Sequence, residues 1–290
     1  MAPDALQQDA APENRPASLT QVLRRLDAAP RTAPLIITLF GDAVVPRGGT
    51  LWLGSLQPIL DCFGLKEGQV RTALSRLTEE GWLARTRRGR LSFHGLGPRG
   101  AAEFGAATRR IYAAGPPEWD GTLRMLLLPT GKDTPAPLPE GFGLLAPGMA
   151  LSPTAEPPAG EAAYWARPRD LAAAREATAR AFPLDGLRAG YAAFLRAFAP
   201  LDAAATPVEP LEALTLRILL AHAFRRLALR DPALPAVLLP ENWPGLEARQ
   251  LAARLYHRLL PSAEAWLDAH GKGAKGPLPP PGPELARRFR

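Results

Sequence analysis

Lys66-Glu-Gly-Gln-Val-Arg-Thr-Ala-Leu-Ser-Arg-Leu-Thr-Glu-Glu80, followed by Gly81-Trp82-Leu83, is the stretch on which the reading of this chain turns. Placed on a helix at about 100° per residue, Val70, Leu74 and Leu77 share one apolar face, while Gln69, Arg71, Thr72, Ser75 and Arg76 point the other way. An outward face of this composition suits the major groove of DNA. Arg pairs bidentately with guanine and Gln with adenine, and short hydroxyl side chains let the backbone approach the base edges. Gly81 is expected to end the helix as a left-handed cap, with Trp82-Leu83 returning the chain to the core.

Working outward, Leu83-Ala-Arg-Thr-Arg-Arg-Gly-Arg-Leu-Ser-Phe-His-Gly-Leu96 reads as two short strands around an Arg-Arg-Gly-Arg turn, with Arg85, Arg87, Arg88 and Arg90 close together. Alone, such a hairpin is equally a solvated loop of an Arg-rich chain. Directly after this helix it reads as the wing of a winged helix, its planar, permanently charged guanidinium groups suited to phosphate oxygens and a narrow minor groove. Upstream, Leu35 to Val45 is apolar enough for a buried first helix, although its β-branched residues leave a strand open. Pro46-Arg-Gly-Gly49 then breaks the chain, and Thr50 is expected to cap a second helix packed through Leu51, Leu53, Leu56, Ile59, Leu60 and Phe63.

Composition agrees with a polyanionic partner. The 290 residues carry a net charge of +7, but all except four of the 35 basic residues are Arg, a bias that a GC-rich genome also produces. Local charge is more telling: from Lys66 to Arg110, ten Lys and Arg face four Glu, a net of +6. The single cysteine, Cys62, excludes an internal disulfide and reads as a structural thiol. No segment approaches the ~20 apolar residues of a membrane span, and the opening residues lack the features of a signal peptide. The expectation is a cytoplasmic protein.

These residues also carry a resemblance. Thr38-Leu-Phe-Gly-Asp42, Pro46-Arg-Gly-Gly49, Leu51-Trp-Leu-Gly-Ser55, Val70 to Leu77 and Glu80-Gly-Trp-Leu83 resemble the amino-terminal domain of the PaaX family, bacterial repressors of phenylacetic acid degradation. A distant second block, Phe224 to Pro235, Leu238-Leu-Pro240, Trp243-Pro-Gly245 and Leu255-Tyr256, resembles the family's carboxy-terminal domain. The resemblance implies a mainly α chain with little β structure. Its expected parts are a disordered arm and short helix (1–33), a winged-helix DNA-binding domain (34–98), a connecting helix (99–117), a ferredoxin-like α/β middle domain (118–182), an all-helical carboxy-terminal domain (183–270) and a flexible tail (271–290). The middle domain is expected to be abbreviated, because the interval between its strands is too short and Pro-rich for the family's helix. In the helical domain, Pro210 to Leu229 should form one long helix, with Leu246 to Leu259 and Ser262 to His270 as two more.

Catalysis is not expected. The chain has no phosphate-binding loop, no His-Glu-x-x-His and no Gly-x-Ser-x-Gly elbow, and Gly95-Leu-Gly97 alone carries no dinucleotide-binding weight. His94, His222, His257 and His270 lack metal-ligand spacing, so neither a metal nor a cofactor is expected. The resemblance implies instead an effector, an aryl-coenzyme A thioester such as phenylacetyl-CoA, and a homodimer on a double-stranded operator. The matching residues offer His222, Arg225, Arg226 and Arg230, with Trp243 and Tyr256 as aromatic lining. A structural alternative makes Arg230-Asp231 a helix-end ion pair and Trp243-Pro-Gly245 a buried turn. Three rivals remain open. One is a regulator of another pathway with a different acyl-CoA or no small-molecule effector. Another is a ferredoxin-like nuclease, opposed by the lack of a carboxylate in Leu128-Pro-Thr-Gly131, with Asp120 at the wrong end of its strand. The third is a protein-interaction module, opposed by the Arg-rich helix face.

Overall fold

The computed structural model describes residues 15–26, 29–129, 137–204 and 208–290. Most of the arm expected to be disordered, and most of the Pro-rich stretch from Pro129 to Glu140, therefore lies outside the described residues.

The first part of the chain comprises α1 (Ala17–Arg25), α2 (Thr32–Leu39), β1 (Thr50–Trp52), α3 (Leu53–Asp61), α4 (Glu67–Glu79), β2 (Leu83–Arg88), β3 (Leu91–Leu96) and α5 (Pro98–Ile111). The strands form an antiparallel sheet in the order β1-β3-β2. Thr50 does not cap a helix as the sequence suggested. Thr50-Leu-Trp52 pairs with Gly95, His94 and Phe93, as β-branched and aromatic residues favour, and α3 starts only afterwards. Beyond α2 the chain continues through a π-helical turn, Phe40–Val44, and a 3-10 turn, Val45–Arg47. Cys62, at the end of α3, is buried, and burial pushes its thiol up to about 11, as expected of an inert structural cysteine.

The middle of the chain is an antiparallel sheet of β4 (Leu123–Leu127), β5 (Gly143–Ala146), β6 (Met149–Ser152) and β7 (Ala163–Ala166), in the order β5-β6-β4-β7. Helix α6 (Leu171–Ala181) packs on β5 and β6, its start capped by Asp170, which accepts the Ala173 N–H at 2.8 Å. Among the described residues no helix lies between β4 and β7.

The remainder is built on α7 (Asp185–Ala203), α8 (Pro210–Ala228) and α9 (Pro244–His270). α8 is buried nearly all round, as its run of Leu, Ile and Phe dictates. α9 is one helix where two were expected. It continues through Pro261, whose missing donor costs one backbone bond, because Leu259 on one side and Ala263, Trp266 and Leu267 on the other share a core. The segment from Gly271, expected to be flexible, is also folded. β8 (Lys272–Gly273) and β9 (Gly276–Pro277) make a small hairpin, and Leu285, Arg288 and Phe289 are buried. Pro and Gly there shape a strap rather than disorder it.

One apolar core runs from Leu19 to Phe289, so the first helices and the last share an interior; a smaller cluster of Leu126, Phe142 and Ala150 lies beneath the middle sheet. At the joint sits a buried polar network around Asp42. Its carboxylate accepts from Tyr112 at 2.7 Å, Tyr256 at 2.9 Å, Arg217 at 2.9 Å and Arg288 at 2.8 Å. Arg217 also reaches Glu264 at 2.6 Å, and Glu264 accepts from Arg47, which is further paired with Asp268. Three guanidinium groups thus face three carboxylates, and this pairing makes the burial of Arg47, Arg217, Arg288 and Asp42 tolerable; Glu264 is partly buried and Asp268 is exposed. Burial alone would push the Asp42 carboxyl up, but Arg217 and Arg288, with the two tyrosine hydroxyls, hold it below the usual carboxylate range. Among the described residues, no helix is long and apolar enough to cross a membrane.

Candidate nucleic-acid interface

Helix α4 turns Val70, Leu74 and Leu77 into the core and leaves Gln69, Arg71, Thr72, Ser75 and Arg76 exposed, the division its periodicity predicts. Its first turn is closed by Gln69, whose side-chain oxygen accepts the Lys66 N–H at 2.9 Å. Its last turn is closed at Gly81, where φ is 75°, and the Trp82 N–H returns to the Leu77 carbonyl at 2.9 Å. The β2–β3 hairpin then leaves the core, with Arg85, Arg87, Arg88 and Arg90 all exposed and Gly89 in the left-handed region at the turn. Helix and hairpin enclose an open groove of about 880 Å3, with Arg71, Ser75, Arg85 and Arg90 on its walls.

Three of the helix side chains are held by a carboxylate one turn away. Arg71 pairs with Glu67 at 2.5 Å, Arg76 with Glu80 at 2.9 Å, and Ser75 donates to Glu79 at 3.0 Å. The i,i+4 spacing was visible in the sequence, yet these partners were not among the expected site residues. Exposed pairs of this kind contribute only about 0.3–0.5 kcal/mol. A bidentate contact to a base, at about 1–3 kcal/mol, displaces them readily. Thr72 bonds back to the Gly68 carbonyl at 3.0 Å, and Arg85 reaches across the hairpin to Ser92 at 2.8 Å. His94, at the groove floor, is buried; burial and then Arg85 push its pKa down to about 4, so it adds no charge at neutral pH. Trp52 and Gln57 also line the groove. Trp52 was invisible as a groove residue because the sequence placed it in a helix.

Residues 31–100 match the PaaX-like protein family, and residues 182–269 match the PaaX-like protein C-terminal domain. The chain belongs to the PaaX-like family. It is 38% identical over 281 residues to the Transcriptional repressor PaaX of Escherichia coli (strain K12), across 88% of this chain and 89% of that protein. Its fold is similar to that of a solved structure, the uncharacterized protein Rv0674 from Mycobacterium tuberculosis. There the TM-score is 0.55 at 21% identity, over 81% of this chain and 98% of that one.

In this PaaX-like chain the six residues expected to bind an effector do not form one site. His222 and Arg226, one turn apart on α8, and Arg230, in the turn that follows it, line a cleft of about 200 Å3 with Leu26, Gly190 and Phe194. His222 is itself buried, 3.0 Å from the Thr38 hydroxyl, and burial, then Arg225 and Arg226, push its pKa down to about 4. Arg225, one residue round the helix from Arg226, faces a different cavity, beneath α5. Trp243 lies elsewhere again, edge-on to Tyr191 at 5.9 Å, and Tyr256 is fully buried against Asp42. Asp231 forms no ion pair with Arg230 among the described residues. It accepts from the Tyr191 hydroxyl at 2.6 Å and from the Ala233 N–H at 2.8 Å. Asp120, three residues before β4, is engaged by Arg124 at 2.7 Å. Among the described residues no group of three or more His, Cys, Asp or Glu is arranged to hold a metal. Gly95-Leu-Gly97 serves packing: a Cβ at Gly97 would lie 2.3 Å from the Gly81 carbonyl oxygen.

Proposed function

We propose that this protein is a DNA-binding transcriptional repressor of aromatic, phenylacetate-type catabolism, released from its operator by an aryl-CoA thioester. The observation that carries the reading is the groove in which Arg71, Thr72 and Ser75 of α4 stand beside Arg85 and Arg90 of the hairpin, with Gln69, Arg76, Arg87 and Arg88 exposed on the same two elements. Similarity to a protein named as a transcriptional repressor supports it. The order α2, β1, α3, α4, β2, β3, with the sheet order β1-β3-β2, supports assigning residues 34–98 to a winged-helix domain. On this reading α4 enters the major groove and the hairpin arginines meet the flanking backbone. The antiparallel order β5-β6-β4-β7 supports an abbreviated ferredoxin-like domain at 118–182, joined through the connecting helix at 99–117 and followed by the helical domain at 183–270. The protein acts as a homodimer, which places two α4 helices in successive major grooves of a pseudo-palindrome.

Nuclease footprinting on DNA upstream of the protein's own and neighbouring operons tests this. Two protected half-sites with centres about 10–10.5 base pairs, or a multiple, apart are expected. Uniform protection at all sequences would remove the repressor. A second reading, a regulator answering to a different acyl-CoA, is favoured by the lack of a helix between β4 and β7 among the described residues.

A further inference from the structure

Where α2, α5 and α8 meet, a cavity of about 190 Å3 is walled by Trp82, Phe104, Ile111, Tyr112, Leu229 and Arg225. The lining is apolar and aromatic except for a few polar groups, and of its three charged residues, Asp42, Glu103 and Arg225, only Arg225 lacks a partner of opposite charge among the described residues. Asp42 is committed to Arg217 and Arg288, and Glu103 to Arg99 at 3.1 Å. The charged and titratable groups acting on Arg225 are Tyr112 and a second cation, Arg226, and burial lowers its affinity for the proton. The contrast with Arg47, Arg217 and Arg288 is direct, since each of those buried guanidinium groups is met by a carboxylate.

Arg225 is half-buried at the cavity wall, and an oxygen acceptor delivered into the cavity would give its guanidinium the charge-assisted partner that the other three already have. The volume limits what can deliver it. A cavity of about 150 Å3 holds benzene, so this one has room for one ring and two or three further atoms, not for a nucleotide. Phe104 fixes one wall, lying so close to the π-helical turn that a Cβ at Gly41 would be 2.2 Å from its ring.

We propose that this cavity binds a single aromatic ring bearing a short acyl arm, with Arg225 donating to the acyl oxygen. The inference rests on the reading above, in which an aryl-CoA releases DNA, and it gives that ligand's aryl end a place; the coenzyme remains outside the cavity. Free aryl acids and aryl thioesters share the ring and the acyl oxygen, so the geometry accepts both. Trp82 connects the cavity to the DNA-facing surface. Its N–H bonds to the Leu77 carbonyl at the end of α4, its carbonyl accepts the Gly97 N–H at 2.9 Å beyond the hairpin, and Arg99 stacks on its ring at 4.5 Å. A ring that presses on Trp82 therefore changes the angle between α4 and the hairpin, and an arrangement that binds ligand better than DNA is all that release requires.

The test is isothermal titration of the full chain with phenylacetyl-CoA, phenylacetate and coenzyme A, alongside DNA release by each compound. The proteins are wild type, Arg225→Gln, Ala107→Leu, which fills the cavity from α5, and Arg230→Gln in the neighbouring cleft. Thermal melts check that each variant folds. Phenylacetyl-CoA should bind at least tenfold more weakly to Arg225→Gln and to Ala107→Leu, and within twofold of wild type to Arg230→Gln. Phenylacetate binding with the same dependence shows that the ring and arm suffice, whereas thioester binding alone assigns the acyl group to a coenzyme carrier. Wild-type affinity in both cavity variants, or coenzyme A binding as tightly as its thioester, overturns the site. Thioester release of DNA from wild type and both cavity variants at one concentration removes the site and leaves the repressor. Arg225-dependent binding that never releases DNA leaves the site and removes the release mechanism.

Discussion

Replacing Asp42 with Asn keeps the side chain's shape and removes its charge from the centre of the joint. Arg217 keeps Glu264, but Arg288 is left with main-chain carbonyls, those of Asp42 at 2.8 Å and Gly41 at 3.1 Å, and the Tyr256 hydroxyl at 2.8 Å. The new amide must also point a donor at a hydroxyl or guanidinium group that already donates. Breaking a buried ion pair by deleting one partner costs about 3–5 kcal/mol. With Arg217 half-satisfied by Glu264, the lower part of that range applies, about 3 kcal/mol, which lowers the melting temperature of a chain this large by roughly 6–12 °C. Urea unfolding followed by circular dichroism at pH 7 measures it directly. The pH dependence supplies a second reading. Because the folded carboxyl lies below its unfolded value near 4, its contribution is complete above about pH 4 and fades as pH falls through the folded value. The gap between wild type and Asp42→Asn should therefore narrow in acid. A variant within about 1 kcal/mol of wild type at pH 7, or a gap unchanged down to pH 3, would refute the claim that this network ties the two ends of the chain together.

Arg71→Ala and Arg76→Ala should each cost about 1–3 kcal/mol at the operator and little on unrelated DNA. Arg87→Ala and Arg88→Ala should weaken binding to all sequences and make the salt dependence shallower by about one unit each; equal losses for all four in anisotropy titrations would contradict the division. Deleting residues 286–290 removes Arg288 from Asp42 and Phe289 from its contacts with Tyr112 and Tyr256, ring centroids 5.2 and 5.5 Å away, so the melt should fall at least as far as in Asp42→Asn. A truncated chain that melts like wild type would show the strap to be dispensable. His94 and His222 are held neutral by burial and neighbouring arginines, with pKa values of about 4. An unfolded histidine titrates near 6.5, so stability is full above that pH and drops as pH falls towards 4. The drop should be shallower in His222→Gln, and a melting temperature flat from pH 7 to 4.5 would count against it.

The unit of α4 and the β2–β3 hairpin was legible because each of its signals is local. The period of Val70, Leu74 and Leu77, the Gly81 cap and the Arg-rich turn all act within a few residues. Thr50-Leu-Trp52 was misassigned because its strand depends on β3, more than 40 residues later. The fate of the last twenty residues depends on still longer reach, since Arg288 finds Asp42 across 246 positions, and Pro-rich composition gives no hint of that partner. Pro261 was read as a break because propensity counts the missing bond but not the core packed on both sides of it. The expected effector residues scattered for a geometric reason: Arg225 and Arg226 are neighbours in sequence but about 100° apart on α8. Only the fold shows which of them meets Trp82, Phe104 and Tyr112.

The most direct measurement is fluorescence anisotropy of the protein on DNA from upstream of its own and neighbouring operons, against scrambled DNA, with and without phenylacetyl-CoA. Sequence-specific binding that the thioester reverses is the predicted result for an aryl-CoA-responsive repressor. Binding with no sequence preference at moderate salt would contradict it.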